Sequence, residues 1–257
     1  MPLRPYLVLL AILTLTGCGR KQPDLLITPE TQRASTASAK EISELWETAL
    51  ANYHTGNWNE AAKNLERLTL ELPPGDSLTV EVRFRLAETY YAQKNQLQAT
   101  REFRRVSDDT PNNVLAPEAL LRAGDAFADL WRRPELDPSY GQSALATYQE
   151  LINRYPTSPA AVRGKQRIAD LEESFAIKEY KASQYYKKLK AYDSAVLYLR
   201  DLVATYPRTS IAPTALISLV GLYNKLGYKE DATETCGYLR RFHPGAPHTD
   251  EVCPLAQ

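Results

Sequence analysis

The sequence predicts an all-α fold built from five helix-turn-helix repeats, and three observations support this prediction. In five segments an alanine is followed twelve residues later by a proline: Ala61 and Pro73, Ala99 and Pro111, Ala144 and Pro156, Ala195 and Pro207, Ala232 and Pro244. An aliphatic residue stands seven positions after each alanine, which places both on one face of a helix. No run after the first 40 residues alternates apolar and polar side chains as a strand does. Successive alanines are 38, 45, 51 and 37 residues apart. Because tetratricopeptide repeats have a period of about 34 residues, we predict a tetratricopeptide-repeat α-solenoid.

The first element is an expected signal peptide, residues 1–17. Arg4 precedes an apolar stretch that ends at Leu15, and small residues follow. This stretch is too short to cross a bilayer, which takes about 20 residues.

Leu15-Thr16-Gly17-Cys18 is similar to the bacterial lipobox, in which the cysteine becomes the lipidated first residue of the mature chain. Acyl chains on Cys18 would anchor the chain to a membrane. The alternative is an ordinary signal peptide with an incidental cysteine. Gly19 is not the aspartate associated with inner-membrane retention of enterobacterial lipoproteins, so we expect the periplasmic face of the outer membrane.

The rest of the chain divides by composition and repeat number. Residues 18–40 are polar and lack helical apolar spacing, so we expect a flexible tether after Cys18. Residues 41–157 would form an N-terminal half of three repeats, interrupted by the proline-containing loop "LWRRPELDPSYG" at 130–141. Residues 158–243 would form a C-terminal half of two repeats. It begins with a long linking helix that runs from a Ser158 N-cap to about Lys190. Residues 244–257 remain as a tail.

Besides Cys18 the chain has two cysteines, Cys236 and Cys253. An oxidising compartment permits a disulfide between them. Such a bridge would contribute about 3 kcal/mol to stability. Two free thiols are equally compatible with the sequence, because it does not show the distance between them.

Composition excludes several classes of function. The chain has 31 basic and 31 acidic residues, whereas a nucleic-acid partner calls for a basic excess or a basic stripe. The three histidines and the cysteines lack the spacing of a metal site, and no glycine-rich phosphate loop occurs. We therefore expect no catalytic residues, no metal, no cofactor and no enzymatic activity.

Several short segments of the sequence resemble those of a known protein family. The family is the BamD (YfiO) family of outer-membrane β-barrel assembly lipoproteins, which has similar segments at the same places. In this chain they lie within residues 151–232 and read "RYPTSP", "KEY", "QYYKK", "YDSAV" and "TYPRTS". The resemblance covers about Leu45 to Arg241. It implies a non-enzymatic scaffold that holds the POTRA domains of a BamA-like barrel protein and contacts accessory Bam lipoproteins. It also implies that the scaffold engages the C-terminal strands of unfolded outer-membrane proteins. The alternative is a generic periplasmic tetratricopeptide-repeat lipoprotein that coordinates cell-wall or division proteins.

In a tetratricopeptide solenoid the first helices line the concave side, and the repeat register therefore predicts which residues face a bound substrate. The N-terminal half would hold the substrate groove, whose candidate residues project from the first helices: Trp46, Leu50, Tyr53, Phe84, Glu88, Tyr91, Leu121 and Asp125. Trp46 and Tyr53 can instead belong to the core.

The C-terminal half would hold the partner-binding residues Lys187, Lys188, Tyr198 and Arg200. Tyr198 stands where relatives are expected to have an arginine. Arg200 lies about 200° around the helix from it and is no obvious substitute. Lys187 and Lys188 belong to a lysine-rich helix end with only Glu179 opposing. A solvated helix end is the simpler interpretation of these lysines, and an acidic partner or anionic lipid is the alternative.

Overall fold

The computed structural model describes residues 29–254, with side chains from residue 39 onward, and this part of the chain contains eleven helices and no strand. The helices are α1 Pro29–His54, α2 Trp58–Glu71, α3 Leu78–Ala92, α4 Gln96–Asp109, α5 Ala116–Ala128, α6 Ser139–Arg154, α7 Pro159–Lys188, α8 Tyr192–Thr205, α9 Ala212–Leu226, α10 Lys229–Phe242 and α11 Thr249–Val252. From α2 to α10 each helix packs against the next. Helices α1 to α10 make five first-helix and second-helix pairs, which confirms the tetratricopeptide-repeat solenoid.

The alanine and proline positions have the structural roles that their spacing predicts. All five alanines of the second helices are buried, four of them completely. Each second helix ends two residues before its proline. The residue before a proline is disfavoured in helical conformation, and proline itself has no N–H to continue the helix. The sequence therefore sets the end of every repeat locally.

The turn between the two helices of a repeat is also regular. A residue with positive φ stands five positions before the buried alanine in four repeats: Gly56, Lys94, Lys190 and Gly227. The third repeat instead has the predicted loop, residues 129–138. The loop lies against α7, where Lys178 donates to the carbonyl oxygen of Leu136 at 3.0 Å and Lys181 pairs with Glu135. The prediction that Glu179 is the only acid opposing the lysine-rich end of the linking helix is therefore wrong, because Glu135 pairs with Lys181.

A small residue at one position of the first helix allows close packing in four of the five repeats, whereas the fifth has a buried valine, Val220, at this position. Ala49, Ala87 and Ser183, twelve residues before the second-helix alanines, are completely buried. Gly124 takes this place in the third repeat when the inserted loop is discounted. A Cβ atom there would lie 2.7 Å from Cδ1 of Tyr148 and closer still to Cε1. Glycine is required because α6 places a tyrosine ring against α5.

The linking helix α7 has the predicted start and length. The backbone N–H of Ala161 donates to the Ser158 hydroxyl at 3.1 Å, and Pro159 occupies the first turn. Helix α7 packs against α5, α6 and α8, and the chain from Ile42 onward forms one compact unit. The two halves of the solenoid are thus continuous through α7.

The predicted tether needs a correction. Helix α1 begins at Pro29, so residues 29–40 are helical, whereas residues 1–28, with the signal peptide and Cys18, lie outside the described residues. Pro29 suits the first position of a helix, and Glu, Gln, Ala, Arg and Lys follow it. The high helix propensity of these residues accounts for a helix here although the segment has no apolar stripe. None of the described helices is long and apolar enough to span a membrane.

The C-terminal tail is fastened to the last repeat. Cys236 of α10 and Cys253 form a disulfide, which resolves the alternative that the sequence left open. Cys253 is buried, Ala246 and Val252 pack against the core of the C-terminal repeats, and Arg240 donates to the Cys253 carbonyl oxygen. The segment around α11 therefore caps the end of the solenoid, as terminal elements of repeat proteins do.

Candidate functional site

A polar arrangement joins the first helices of repeats one and two. The Tyr53 hydroxyl of α1 donates to Oε2 of Glu88 on α3 at 2.9 Å. Arg85, one turn before Glu88, donates to the same oxygen at 2.9 Å. Its guanidinium also lies over the Tyr53 ring, 5.3 Å from the centroid. One tyrosine is thus held by the arginine and the acid of the next first helix.

The same arrangement recurs one repeat later. The guanidinium of Arg122 on α5 lies 4.5 Å from the centroid of Tyr91, and Arg122 pairs with Asp125 at 3.5 Å. The Tyr91 hydroxyl donates to Oδ2 of Asp129 at 2.6 Å, beyond the end of α5. We call the two units together the tyrosine–arginine ladder, which consists of Tyr53, Arg85, Glu88, Tyr91, Arg122 and Asp125.

The ladder ends at a polar cavity of about 320 Å³ between α5, α6 and α7. Asp125 is buried there, and its Oδ1 accepts from the Tyr148 hydroxyl at 2.8 Å and from Nε of Arg167 at 3.1 Å. Arg167 is about half exposed. The cavity therefore offers one guanidinium to solvent, held in place by a buried carboxylate.

Burial and carboxylate acceptors keep the ladder tyrosines protonated. Desolvation and the hydrogen bond to Asp129 raise the pKa of Tyr91 to about 12. Desolvation, followed by the hydrogen bond to Glu88, also raises the pKa of Tyr53. Both hydroxyls are neutral donors at physiological pH, so the ladder's charge resides on its arginines and acids.

The structure separates the predicted groove residues into surface and core. Phe84 and Leu121 are only 6% and 2% exposed, so their prediction as groove residues is wrong. Phe84 packs edge-on against Phe103, with ring centroids 5.5 Å apart. A first helix in mid-solenoid is covered by its own second helix and by neighbouring repeats, which leaves a narrower exposed stripe than the sequence register assumed. Trp46 packs partly against the core, and Leu50 is partly exposed.

Sequence reasoning missed the cationic part of this site, namely Arg85, Arg122 and Arg167. A signal for two of them was present. An arginine precedes an acid by three residues in both α3 and α5, and in each case a tyrosine lies near the end of the preceding first helix. Both arginine–acid pairs, Arg85 with Glu88 and Arg122 with Asp125, stand at the same distance before the second-helix alanine of their repeat when the inserted loop is discounted.

The four predicted partner-binding residues fall at separate places in the C-terminal half. Tyr198 stacks on Tyr186 of α7, with ring centroids 5.2 Å apart and an interplanar angle of 17°. Arg200 lines a cavity of about 440 Å³ between α8, α9 and α10, as do Asp231 and Glu234. Lys187 lines a different cavity, and Lys188 is exposed. Arg200 therefore lies at a different place from the Tyr186–Tyr198 stack.

Metal-binding side chains do not assemble in the described part of the chain. No group of three or more His, Cys, Asp or Glu side chains there could hold a metal ion. The site instead consists of aromatic rings, hydroxyl donors and guanidinium groups on an α-helical scaffold, which is an arrangement that can bind a chain segment.

Comparison with known proteins identifies the family. A family model described as "Outer membrane lipoprotein" and called YfiO matches residues 38–237. The chain belongs to the YfiO family. The match extends over all five repeats, and membership associates the chain with the outer membrane.

Several similar proteins are outer membrane protein assembly factors called BamD. Outer membrane protein assembly factor BamD of Vibrio cholerae serotype O1 is 26% identical over 246 residues, which cover 92% of this chain and 96% of the relative. The BamD of Neisseria meningitidis serogroup A is 24% identical over 216 residues, covering 80% of each chain. Among solved structures, a thermophilic TPR protein of Thermus thermophilus is 18% identical and covers 82% of this chain and 95% of its own, with a TM-score of 0.36. That superposition is too weak to support an argument about function.

Proposed function

We propose that this chain is a non-enzymatic lipoprotein subunit of the outer-membrane β-barrel assembly machinery. The YfiO-family match, together with relatives called outer membrane protein assembly factor BamD, carries the proposal. The alignment with the Vibrio cholerae relative extends over nearly the full length of both chains. A lipid on Cys18 would hold the subunit on the periplasmic face of the outer membrane.

The proposed substrates are the C-terminal strands of unfolded outer-membrane proteins, bound along the tyrosine–arginine ladder. Tyr53 and Tyr91 are partly exposed and lie one repeat apart, so one extended segment can contact both. Arg122 and Arg167 at the far end suit the free carboxylate of a chain terminus. Aromatic and arginine side chains are the usual strong contributors to such interfaces.

The proposed partners of the C-terminal half are the POTRA domains of a BamA-like barrel protein and an accessory lipoprotein. The Tyr186–Tyr198 stack stands near where relatives are expected to place an arginine, so an aromatic contact would replace an ion pair there. Arg200 belongs to a different surface, the cavity that it lines together with Asp231 and Glu234. That cavity would receive a second partner.

A peptide-binding experiment tests the substrate proposal. We expect a peptide with the sequence of a barrel protein's C-terminal strand, ending in phenylalanine, to bind the purified chain. Replacing both Tyr53 and Tyr91 with alanine should weaken binding by about 30-fold or more, since each truncation at an interface anchor typically costs about 1 kcal/mol or more. Isothermal titration calorimetry gives the affinity, and far-ultraviolet circular dichroism checks that the helices remain.

The matched control replaces Tyr228 and Tyr238 with alanine, which removes two exposed tyrosines from the C-terminal half. This control should bind the peptide like the original chain. Equal weakening by both variants, or no weakening by the ladder variant, would exclude the ladder as the peptide site.

A further inference from the structure

The turns between first and second helices differ in charge along the solenoid. In repeats four and five these turns carry lysines at one edge of the molecule, which we call the lysine edge: Lys187, Lys188, Lys190, Lys225 and Lys229. All five are exposed. The corresponding turns of repeats one and two contain mainly neutral amides, which line a pocket at this position: Asn57, Asn59, Gln93 and Asn95. The turn of repeat two carries one lysine, Lys94, so the lysines are concentrated in the last two repeats.

The lysine edge is not neutralised by the protein. Among the described residues none of its five lysines forms an ion pair. Two lysines earlier on α7, Lys178 and Lys181, do not belong to the edge. Both bind residues of the loop between α5 and α6. The positive charge at the edge is therefore available to a ligand.

The two turns also share a cavity with an apolar floor. Lys187 and Lys225 line this space of about 430 Å³ together with Ile217, Leu222 and Val252. Nζ of Lys225 lies 4.2 Å from the centroid of the Tyr192 ring. The cavity brings charge from the end of α7 and the end of α9 to one place.

Apolar side chains are exposed between these lysines. Tyr185 and Leu189 are 60% and 58% exposed, and Tyr228 in the next turn is 44% exposed. Leucine and tyrosine interspersed with lysine is the composition of surfaces that insert into the headgroup region of a bilayer. Three exposed apolar side chains beside the lysines favour a surface with both phosphates and acyl chains over a purely acidic one.

In the described part of the chain, none of the acids on neighbouring elements forms an ion pair with a lysine of the edge. Asp193 accepts a hydrogen bond from the Tyr228 hydroxyl, and Asp231 lines the cavity between α8 and α10. Glu251 of α11 contacts His248. Glu230 and Asp250 are exposed neighbours on α10 and α11.

We propose that the lysine edge is a docking surface for an anionic phospholipid membrane. The ammonium groups would contact lipid phosphates while Tyr185, Leu189 and Tyr228 enter the interface between headgroups and acyl chains. This surface would set the orientation of the C-terminal repeats against the membrane independently of the anchor on Cys18. Lys187 and Lys188 thus contact lipid, and the protein partners use other surfaces. The inference goes beyond the assembly role and does not depend on it.

Vesicle co-sedimentation tests this inference. The protein is the unlipidated chain from residue 19 onward, which keeps the compact unit that begins at Ile42. Vesicles contain one part phosphatidylglycerol to two parts phosphatidylethanolamine, or phosphatidylcholine alone. We expect binding to the anionic vesicles, little binding to the neutral ones, and loss of binding at high salt. Lys187→Glu with Lys225→Glu should weaken binding to the anionic vesicles by about tenfold or more.

The matched control is Lys63→Glu with Lys165→Glu, which makes the same change in net charge with exposed lysines outside the edge. It should bind anionic vesicles like the unchanged chain. Equal loss in both variants would show a net-charge effect, and equal binding to neutral vesicles would show apolar adsorption. Binding of polyglutamate at the edge without vesicle binding would point to an acidic protein partner. Each of these three outcomes overturns the proposal.

Discussion

Replacing Gly124 with alanine is expected to lower the free energy of unfolding by about 3 kcal/mol, because the added methyl group overlaps the Tyr148 ring. That ring is completely buried, so it can move only by disturbing α6 or by breaking its hydrogen bond to the buried carboxylate of Asp125. Thermal unfolding followed by far-ultraviolet circular dichroism should show a midpoint lowered by roughly 5 to 10 °C.

Gly221→Ala provides the matched control for this substitution. Gly221 also lies inside a first helix, but it is exposed and no atom lies within 4 Å of a Cβ built there. Alanine should therefore raise stability by about 0.5 to 1 kcal/mol through helix propensity. If Gly124→Ala were as stable as the unchanged chain, the close approach of α5 and α6 would be wrong.

Removing the Cys236–Cys253 disulfide should destabilise the last repeat selectively. The bridge joins residues 17 apart in sequence, and closing such a loop contributes about 3 kcal/mol. Because each repeat contacts only its neighbours, the loss should stay close to α9, α10 and α11. In the Cys236→Ala, Cys253→Ala chain, amide hydrogen exchange in these helices should be about 100-fold faster.

The chain contains its own reference for that measurement. Its three tryptophans, Trp46, Trp58 and Trp131, all precede α6 and lie outside the last repeat, so their fluorescence should change little. A dithiol reductant should reproduce the exchange pattern in the unchanged chain and have no effect on the double variant. Uniformly faster exchange across all repeats would contradict a locally acting cap.

The repeat architecture could be predicted because its determinants are local in sequence. The twelve-residue interval from Ala195 to Pro207 fixes the length of a second helix, and proline chemistry fixes its end. Ser158 and Pro159 similarly mark the start of α7. A single sequence is enough to recognise these signals because each acts within a few turns of the same helix.

The details of the site could not be predicted, because they depend on contacts between repeats. Tyr53 meets Glu88 across 35 residues and Tyr91 meets Asp129 across 38. The packing of neighbouring helices decides which side of a first helix stays exposed, and Phe84 packs in a core cluster formed by α3, α4 and α5. The helical start at Pro29 lacks an apolar stripe, so only the helix propensity of its residues could indicate it.

The assembly role is tested most directly by isolating the tagged full-length chain from native membranes in mild detergent and identifying the bound proteins by mass spectrometry. We expect a large outer-membrane barrel protein with POTRA domains among the most abundant partners, accompanied by further lipoproteins. Recovery of cell-wall or division proteins without such a barrel would contradict the assembly role and support a scaffold of the cell envelope instead.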